Sequence, residues 1–286
     1  MISDPLPLIR SLDEIAGRYA AILCDVWGVL HNGLRPFPGA PDALRRARDR
    51  GIVVVLVTNA ARLRGEVTEH LRVLGVPDDA WSSVVTSGDV TRELLRTAPR
   101  KILHLGLDRD LALYDGLDLE PVGEQDAEAV VCTGLRDEAD TPDDYARTLR
   151  RLRDRNLPLI CANPDIFFER GGRKIWCAGA LARDYADLGG RVIIAGKPHA
   201  PIYEAALNSA SGIAGREVGP GETLAIGDGI LTDVAGAVGR GIDVLYVSGG
   251  IHAAEYGEAH DPDPVRLAAF LARYGHRPRA ILTNLR

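Results

Sequence analysis

Two acids in this chain stand just past apolar runs that are far apart in sequence. Asp25 closes Ile22-Leu23-Cys24 and leads into Val26-Trp27-Gly28-Val29-Leu30; Asp228 follows Leu224-Ala225-Ile226-Gly227, with Asp233 five residues further on. An acid at the end of a buried strand loses hydration that something must replace. A divalent cation shared by Asp25 and Asp228 would do so, and oxygen-rich surroundings suit Mg²⁺. Asp25 then keeps an oxygen with which to act as a nucleophile, as carboxylates do in aspartyl-phosphate chemistry. Asp233 suits orientation of what Asp228 binds. Read alone, Asp25 is also compatible with a plain cap of the next turn, and Gly227-Asp228-Gly229 with a polar loop.

Two further segments follow apolar runs in the same way. Thr58-Asn59-Ala60-Ala61-Arg62 comes directly after Val53–Val57. A hydroxyl, an amide and free backbone N–H groups at a helix start make a cradle for phosphate oxygens, although either Thr58 or Asn59 also reads as an N-cap. Lys197, in Ala195-Gly196-Lys197-Pro198-His199, follows another run. Its compact ammonium suits neutralisation of a carboxylate–phosphate pair; a solvated lysine is the alternative.

The elements that must position these groups alternate. Strand-like runs occur at Ala20–Asp25, Val53–Val57, Ile102–Leu105, Ala129–Cys132, Leu157–Ala162, Val192–Ala195, Leu224–Ile226 and Val244–Val247, with helical patterns between them. Several runs are continuously apolar, as parallel strands covered on both faces are. The spacing predicts helices over Pro41–Arg50, from Thr141-Pro142 (cap, then proline at the first helical position) to Asp154, and from Pro201. His252–Pro264 reads as a surface loop before a last helix, and Ala280–Leu282 as an edge strand. The fold class is α/β with a parallel sheet.

Composition narrows the partners. The chain has 286 residues and a formal net charge of −6, which disfavours nucleic acid, since phosphate backbones need clustered positive charge. The four cysteines lack C-x-x-C spacing, and Cys24, Cys132 and Cys161 read as reduced core residues. Asp4, Pro5 and Pro7 break the N-terminal segment early, and no apolar run approaches the ~20 residues of a membrane span. The expected location is cytoplasmic, with no membrane and no nucleic-acid partner.

In this order the four segments resemble the haloacid dehalogenase-like (HAD) superfamily of aspartate-nucleophile phosphohydrolases, over nearly the whole chain. Asp25-x-Trp27-Gly28-Val29-Leu30 is similar to its first motif, Thr58-Asn59 to its second, Lys197 to its third, and Gly227-Asp228 through Asp233 to its fourth. Trp27–Gly33 followed by Pro38-Gly39-Ala40, with Ala162-Asn163-Pro164-Asp165 and Gly196-Lys197-Pro198, resembles class IIA, the NagD-like and 4-nitrophenylphosphatase-like enzymes with a large C2-type cap. The resemblance implies a Rossmann-like HAD core from residues 1–87 and 194–286 and an inserted α/β cap domain over 88–193. It implies Asp25 as nucleophile and Mg²⁺ ligand, Asp228 and the backbone carbonyl of Trp27 as further ligands, and Asp233 behind them. Thr58, Asn59 and Lys197 would hold the phosphoryl group. Arg62, Asn163 and Asp165 are candidates for the substrate, which would be a small phosphorylated metabolite. Large caps of this kind also suggest a homodimer built through the cap.

One position departs from that pattern. Where most phosphatases of the superfamily carry an Asp that protonates the leaving oxygen, this chain has Trp27. Indole donates a hydrogen bond but cannot exchange protons as a general acid or base, a service worth ~10²–10⁴-fold in rate. The expected activity is therefore on substrates with good leaving groups, such as acyl or aryl phosphates. His31 is the candidate substitute acid, or else a turn residue facing solvent. Ala60-Ala61, where relatives often have Asn or Ser, points to a differently shaped leaving-group pocket. Two other readings stay open: an impaired relative that binds a phosphorylated ligand, and a metal-independent haloacid dehalogenase, against which the Asp228/Asp233 pair argues.

Overall fold

The computed structural model describes residues 7–171 and 173–286. Asp4 and Pro5 lie outside the described residues. The chain divides into two compact units, Met1–Thr58 with Thr68–Val85 and Tyr203–Arg286, and Asn59–Val67 with Thr86–Ile202.

The first unit is organised on a six-stranded sheet. Its strands are β1 (Ala21–Cys24), β2 (Val53–Thr58), β3 (Ser83–Thr86, whose last residue begins the second unit), β4 (Thr223–Gly227), β5 (Asp243–Val247) and β6 (Ala280–Leu282), in the order β6-β5-β4-β1-β2-β3. β1 pairs in parallel with both β2 and β4, Leu23 standing opposite Val55 and Ala225. β1, β2 and β4 are buried along their whole length. That explains why their sequences are continuous apolar runs rather than alternating ones. Chain direction across the sheet reverses between β1 and β4, so the connections after these two strands diverge and leave a crevice at their carboxyl ends.

Helices flank these strands where the sequence signals them. Ala40–Asp49 turns Ala43, Leu44 and Ala47 inward, and Ala200–Ala214 opens with Pro201 in its first turn. The C-terminal run Ala280–Leu282 is a strand at the sheet edge, with a further bridge from Ile281 to Leu8. The stretch expected to be a loop over His252–Pro264 instead contains a helical turn, Ala253–Tyr256, and a two-residue hairpin pairing Gly257–Glu258 with Asp261–Pro262. Buried Tyr256 holds that segment down through its hydroxyl on the Ser248 carbonyl (2.8 Å), a tie that composition does not announce.

The second unit has its own five-stranded sheet, with strands Val192–Ile194, Leu159–Cys161, Ala129–Cys132, Lys101–Leu105 and Glu120–Pro121 side by side and parallel. Alternate residues divide between two cores. Leu103, Leu105, Val130 and Cys132 face Leu149, Leu152, Leu181 and Tyr185 on one side. Ile102, Ala129, Val131 and Ile160 face Leu95, Leu113 and Tyr114 on the other. Thr141 caps the segment before Ala146–Asp154 reciprocally with Asp144, and Pro142 begins a 3₁₀ turn there. An antiparallel hairpin, Phe167–Arg170 with Arg173–Trp176, carries no strong alternation and was not legible as strands. All four cysteines are buried, and none is joined in a disulfide among the described residues.

Candidate active site

Asp25 and Asp228 leave the carboxyl ends of β1 and β4, the two strands that border the reversal point. The Asp25 backbone extends the ladder one residue beyond β1, its N–H on the Ile226 carbonyl at 2.8 Å. Asp233 reaches the same place from a π-helical turn, Ile230–Val234, that follows β4. One carboxylate oxygen from each of Asp25, Asp228 and Asp233 lies within 4.8 Å of the others, and all three residues are buried. Three acids so close together and shielded from water repel one another unless cationic charge compensates them. The donors are all oxygen, the set a hard divalent cation prefers.

Each of these acids is held by its surroundings. The Asp228 Oδ2 accepts the backbone N–H of Ile251 at 2.8 Å. Its carboxylate lies against two glycine backbones, since a Cβ on Gly28 or on Gly250 would fall 2.1 Å from Asp228 Oδ2. Gly28 also has φ +87°, so the turn after Asp25 needs glycine twice over. The Asp233 Oδ2 accepts the Gly229 N–H at 3.1 Å. Tyr203 holds the π-turn from behind, its hydroxyl donating to the Asp233 carbonyl at 3.1 Å. π-Turns of this kind concentrate at functional sites. His252 joins the arrangement by accepting the Ile230 N–H on Nε2 at 3.3 Å, and burial lowers its pKa.

Ile251, His252, Gly250 and Tyr203 were not singled out for these tasks. The Ser248-Gly249-Gly250 sequence directly after the Val244–Val247 run was the available signal, a glycine pair at a strand end where a backbone must approach something closely.

Trp27 and His31 belong to the loop that follows Asp25. The Trp27 indole packs edge-on against the His31 ring, 5.2 Å between centroids, and against the backbone of Gly33. His31 is 2% exposed, accepts the Gly33 N–H on Nδ1 at 2.9 Å, and stacks edge-on against His70. Burial, and then the neighbouring His70, push its pKa down to about 4. His31 thus does not face solvent, and its burial disfavours the protonated form.

Thr58 ends β2 and is buried. In the second unit the Asn59 side chain clamps the backbone of Lys197. Its Oδ1 accepts the Lys197 N–H at 2.7 Å, and its Nδ2 donates to the Lys197 carbonyl at 3.3 Å and to Asp165 Oδ1 at 2.8 Å. Both amide protons are therefore engaged, and the side chain fixes the backbone of Lys197. Lys197 is 3% exposed. Asn163 accepts the Asp165 N–H at 3.1 Å and shapes the turn that presents Asp165 to Asn59. Together they brace Asn59. Arg62 is half-buried in the turn after Ala61.

A crevice at the reversal point of a parallel sheet, floored by three buried carboxylates, defines the class of α/β enzymes that work through acids at strand ends. Comparison with known proteins gives the family. Residues 22–120 match the haloacid dehalogenase-like hydrolase family, and residues 194–285 match a HAD-hydrolase-like family. A crystal structure of a haloacid dehalogenase-like family hydrolase from Brucella suis 1330 is 54% identical, with a TM-score of 0.88 over 98% of this chain and all of that one (100%). Glycerol phosphate phosphatase from Mycobacterium tuberculosis, solved in complex with magnesium, is 25% identical with a TM-score of 0.64, over 91% of this chain and 79% of that one. Chronophin from Bos taurus is 26% identical over 266 residues, 87% of this chain and 88% of its own. The chain belongs to the haloacid dehalogenase-like hydrolase family, with the fold of its NagD-like and 4-nitrophenylphosphatase-like members. Among the described residues no helix is long and apolar enough to cross a membrane.

Proposed function

We propose that this protein is a Mg²⁺-dependent phosphohydrolase that works through an aspartyl-phosphate on Asp25, with a small phosphorylated metabolite as substrate. The observation that carries this reading is the buried Asp25–Asp228–Asp233 cluster at the carboxyl ends of β1 and β4. The magnesium complex of the Mycobacterium tuberculosis glycerol phosphate phosphatase supports the choice of metal.

Asp25, Asp228 and the backbone carbonyl of Trp27 would hold the ion, with Asp233 orienting its surroundings. Bound there, the ion supplies positive charge to the transferring phosphoryl group. Asp25 attacks phosphorus through its other oxygen and the ester oxygen departs; water then hydrolyses the acyl phosphate and regenerates the carboxylate. Thr58, the backbone N–H groups that follow it and Lys197 would receive the phosphoryl oxygens, the ammonium offsetting their charge. The Asn59 clamp fixes the backbone from which Lys197 extends. Residues 88–193 would act as the cap that selects the substrate.

With Trp27 at the acid position and the protonated form of His31 disfavoured by burial, this loop is poorly equipped to protonate the departing oxygen. The substrates best served are acyl and aryl phosphates, whose leaving groups need little or no proton. Purified protein with Mg²⁺ should release phosphate from acetyl phosphate and 4-nitrophenyl phosphate, and Asp25→Asn should abolish release in a protein that still unfolds cooperatively. Absence of turnover across a broad phosphometabolite panel would overturn the proposal in favour of a ligand-binding relative.

A further inference from the structure

The sheet of the second unit has a reversal point of its own. The strand Lys101–Leu105 has Glu120–Pro121 on one side and Ala129–Cys132 on the other. The chain leaves Leu105 toward Glu120, but leaves Cys132 toward Leu159, on the opposite side. The loops after Leu105 and Cys132 therefore separate, and parallel sheets bind ligands in the crevice this creates. A partly open cavity of about 460 Å³ occupies that place, lined by His104, Gly106, Leu107, Asp108, Arg109 and Arg136. Its size falls within the range of small-molecule sites.

The lining fits an anion. The floor is neutral and fixed: His104 is hydrogen-bonded to Tyr114 through Nδ1 (2.7 Å) and to the Leu107 carbonyl through Nε2 (3.2 Å). A carbonyl only accepts, so Nε2 carries the proton and Nδ1 accepts from the tyrosine. A Cβ on Gly106 would fall 1.9 Å from Thr133 Oγ1, so glycine is what lets the two strand ends run this close beneath the mouth. Arg109 and Arg136 are among the lining residues, with one acid, Asp108. Arg109 has only long ion pairs, 3.9 Å to Asp110 and 3.7 Å to Glu138. Both acids have nearer partners, Asp110 accepting from Thr133 Oγ1 at 2.7 Å and Glu138 pairing with Arg170. For Arg136 the structure records a bond at its backbone N–H, to Tyr145, and no ion pair of its guanidinium with a described residue.

We propose that this crevice is a binding site for a small oxyanion, a carboxylate or a phosphate, held by the guanidinium groups of Arg109 and Arg136. Planar guanidinium forks match either oxyanion in two-point contact. The proposal does not rest on the chemistry assigned to Asp25.

The test is calorimetric titration of the metal-free full chain, first with tartrate and then with inorganic phosphate, in the wild type, in Asp25→Asn and in Arg109→Ala/Arg136→Ala. Saturable binding that persists in Asp25→Asn and weakens about tenfold or more in the double variant is expected for at least one probe. Loss confined to tartrate identifies a carboxylate site, and loss confined to phosphate a phosphate site. Both arginines are exposed, so an unchanged unfolding midpoint should show the double variant folded; the single Arg136→Ala variant serves if it is not. Absence of saturable binding of either probe, or equal binding by wild type and the arginine variants, would overturn the proposal.

Discussion

The Trp27 indole lies against the backbone of Gly33, so close that a Cβ on Gly33 would fall 2.2 Å from ring atom Cη2. Gly33 also has φ +83°. The aromatic residue at the acid position is thus built into the loop that follows Asp25. Gly33→Ala should destabilise the protein by about 1–3 kcal/mol, through strain and displacement of the ring. Chemical denaturation should show a lower midpoint with an unchanged slope; an unaltered midpoint would mean the ring moves freely.

Trp27→Asp should act in two directions. It places a carboxyl group where a general acid is useful, and it strips the packing from Gly33 and His31. The expected result is a gain in turnover of alkyl relative to aryl phosphates, together with a stability loss of about 1–3 kcal/mol. Parallel kinetics and denaturation separate the two effects.

Asn59→Ala should release the backbone of Lys197. It leaves the Lys197 N–H and carbonyl without the amide that bonds both, and removes a bond from Asp165. The expected cost is about 1–3 kcal/mol, with faster hydrogen exchange at the Lys197 amide. Unchanged exchange would assign the clamp no positioning role.

Metal should stabilise the protein through the three acids. At a hundredfold excess over its dissociation constant a bound ion adds about 2.7 kcal/mol to the folded state. Mg²⁺ is expected to raise the unfolding temperature of the wild type and EDTA to reverse this. Asp228→Asn should lose most of the response. A variant that responds as the wild type does would remove Asp228 from the metal site.

Acid should weaken the fold through His104. Burial is the main cause that lowers its pKa, with Arg136 adding to it; the Leu107 carbonyl, Asp110 and Asp108 oppose. The unfolded chain therefore takes up this proton at a higher pH than the folded one. The contribution of neutral His104 is complete above the ordinary imidazole value of about 6.5 and is lost as pH falls through the lowered folded value. Urea unfolding across this range should show a flatter pH profile for His104→Gln than for the wild type.

Strand ends were the legible part of this molecule. Asp25 and Asp228 could be found because continuous apolar runs mark doubly covered parallel strands and an acid breaks each run at its end. What the sequence did not disclose depends on contacts between distant segments. Ile251 reaches Asp228, and Tyr203 the Asp233 turn, only because the sheet order brings β5 and the helix from Ala200 to them. The Asn59 clamp was not legible because its partner, the Lys197 backbone, is 138 residues away. The setting of His31 was not legible because neither local spacing nor composition foretells burial beside His70.

The most direct test of the central claim, Asp25 attack with no acid behind the leaving group, is the dependence of kcat/KM on leaving-group pKa across a series of aryl and alkyl phosphates with Mg²⁺ present. The expected result is a steep decline as the leaving group becomes more basic, and loss of all turnover in Asp25→Asn. A flat dependence, with alkyl phosphates cleaved as fast as nitrophenyl phosphate, would contradict the account by showing that a proton donor operates at this site.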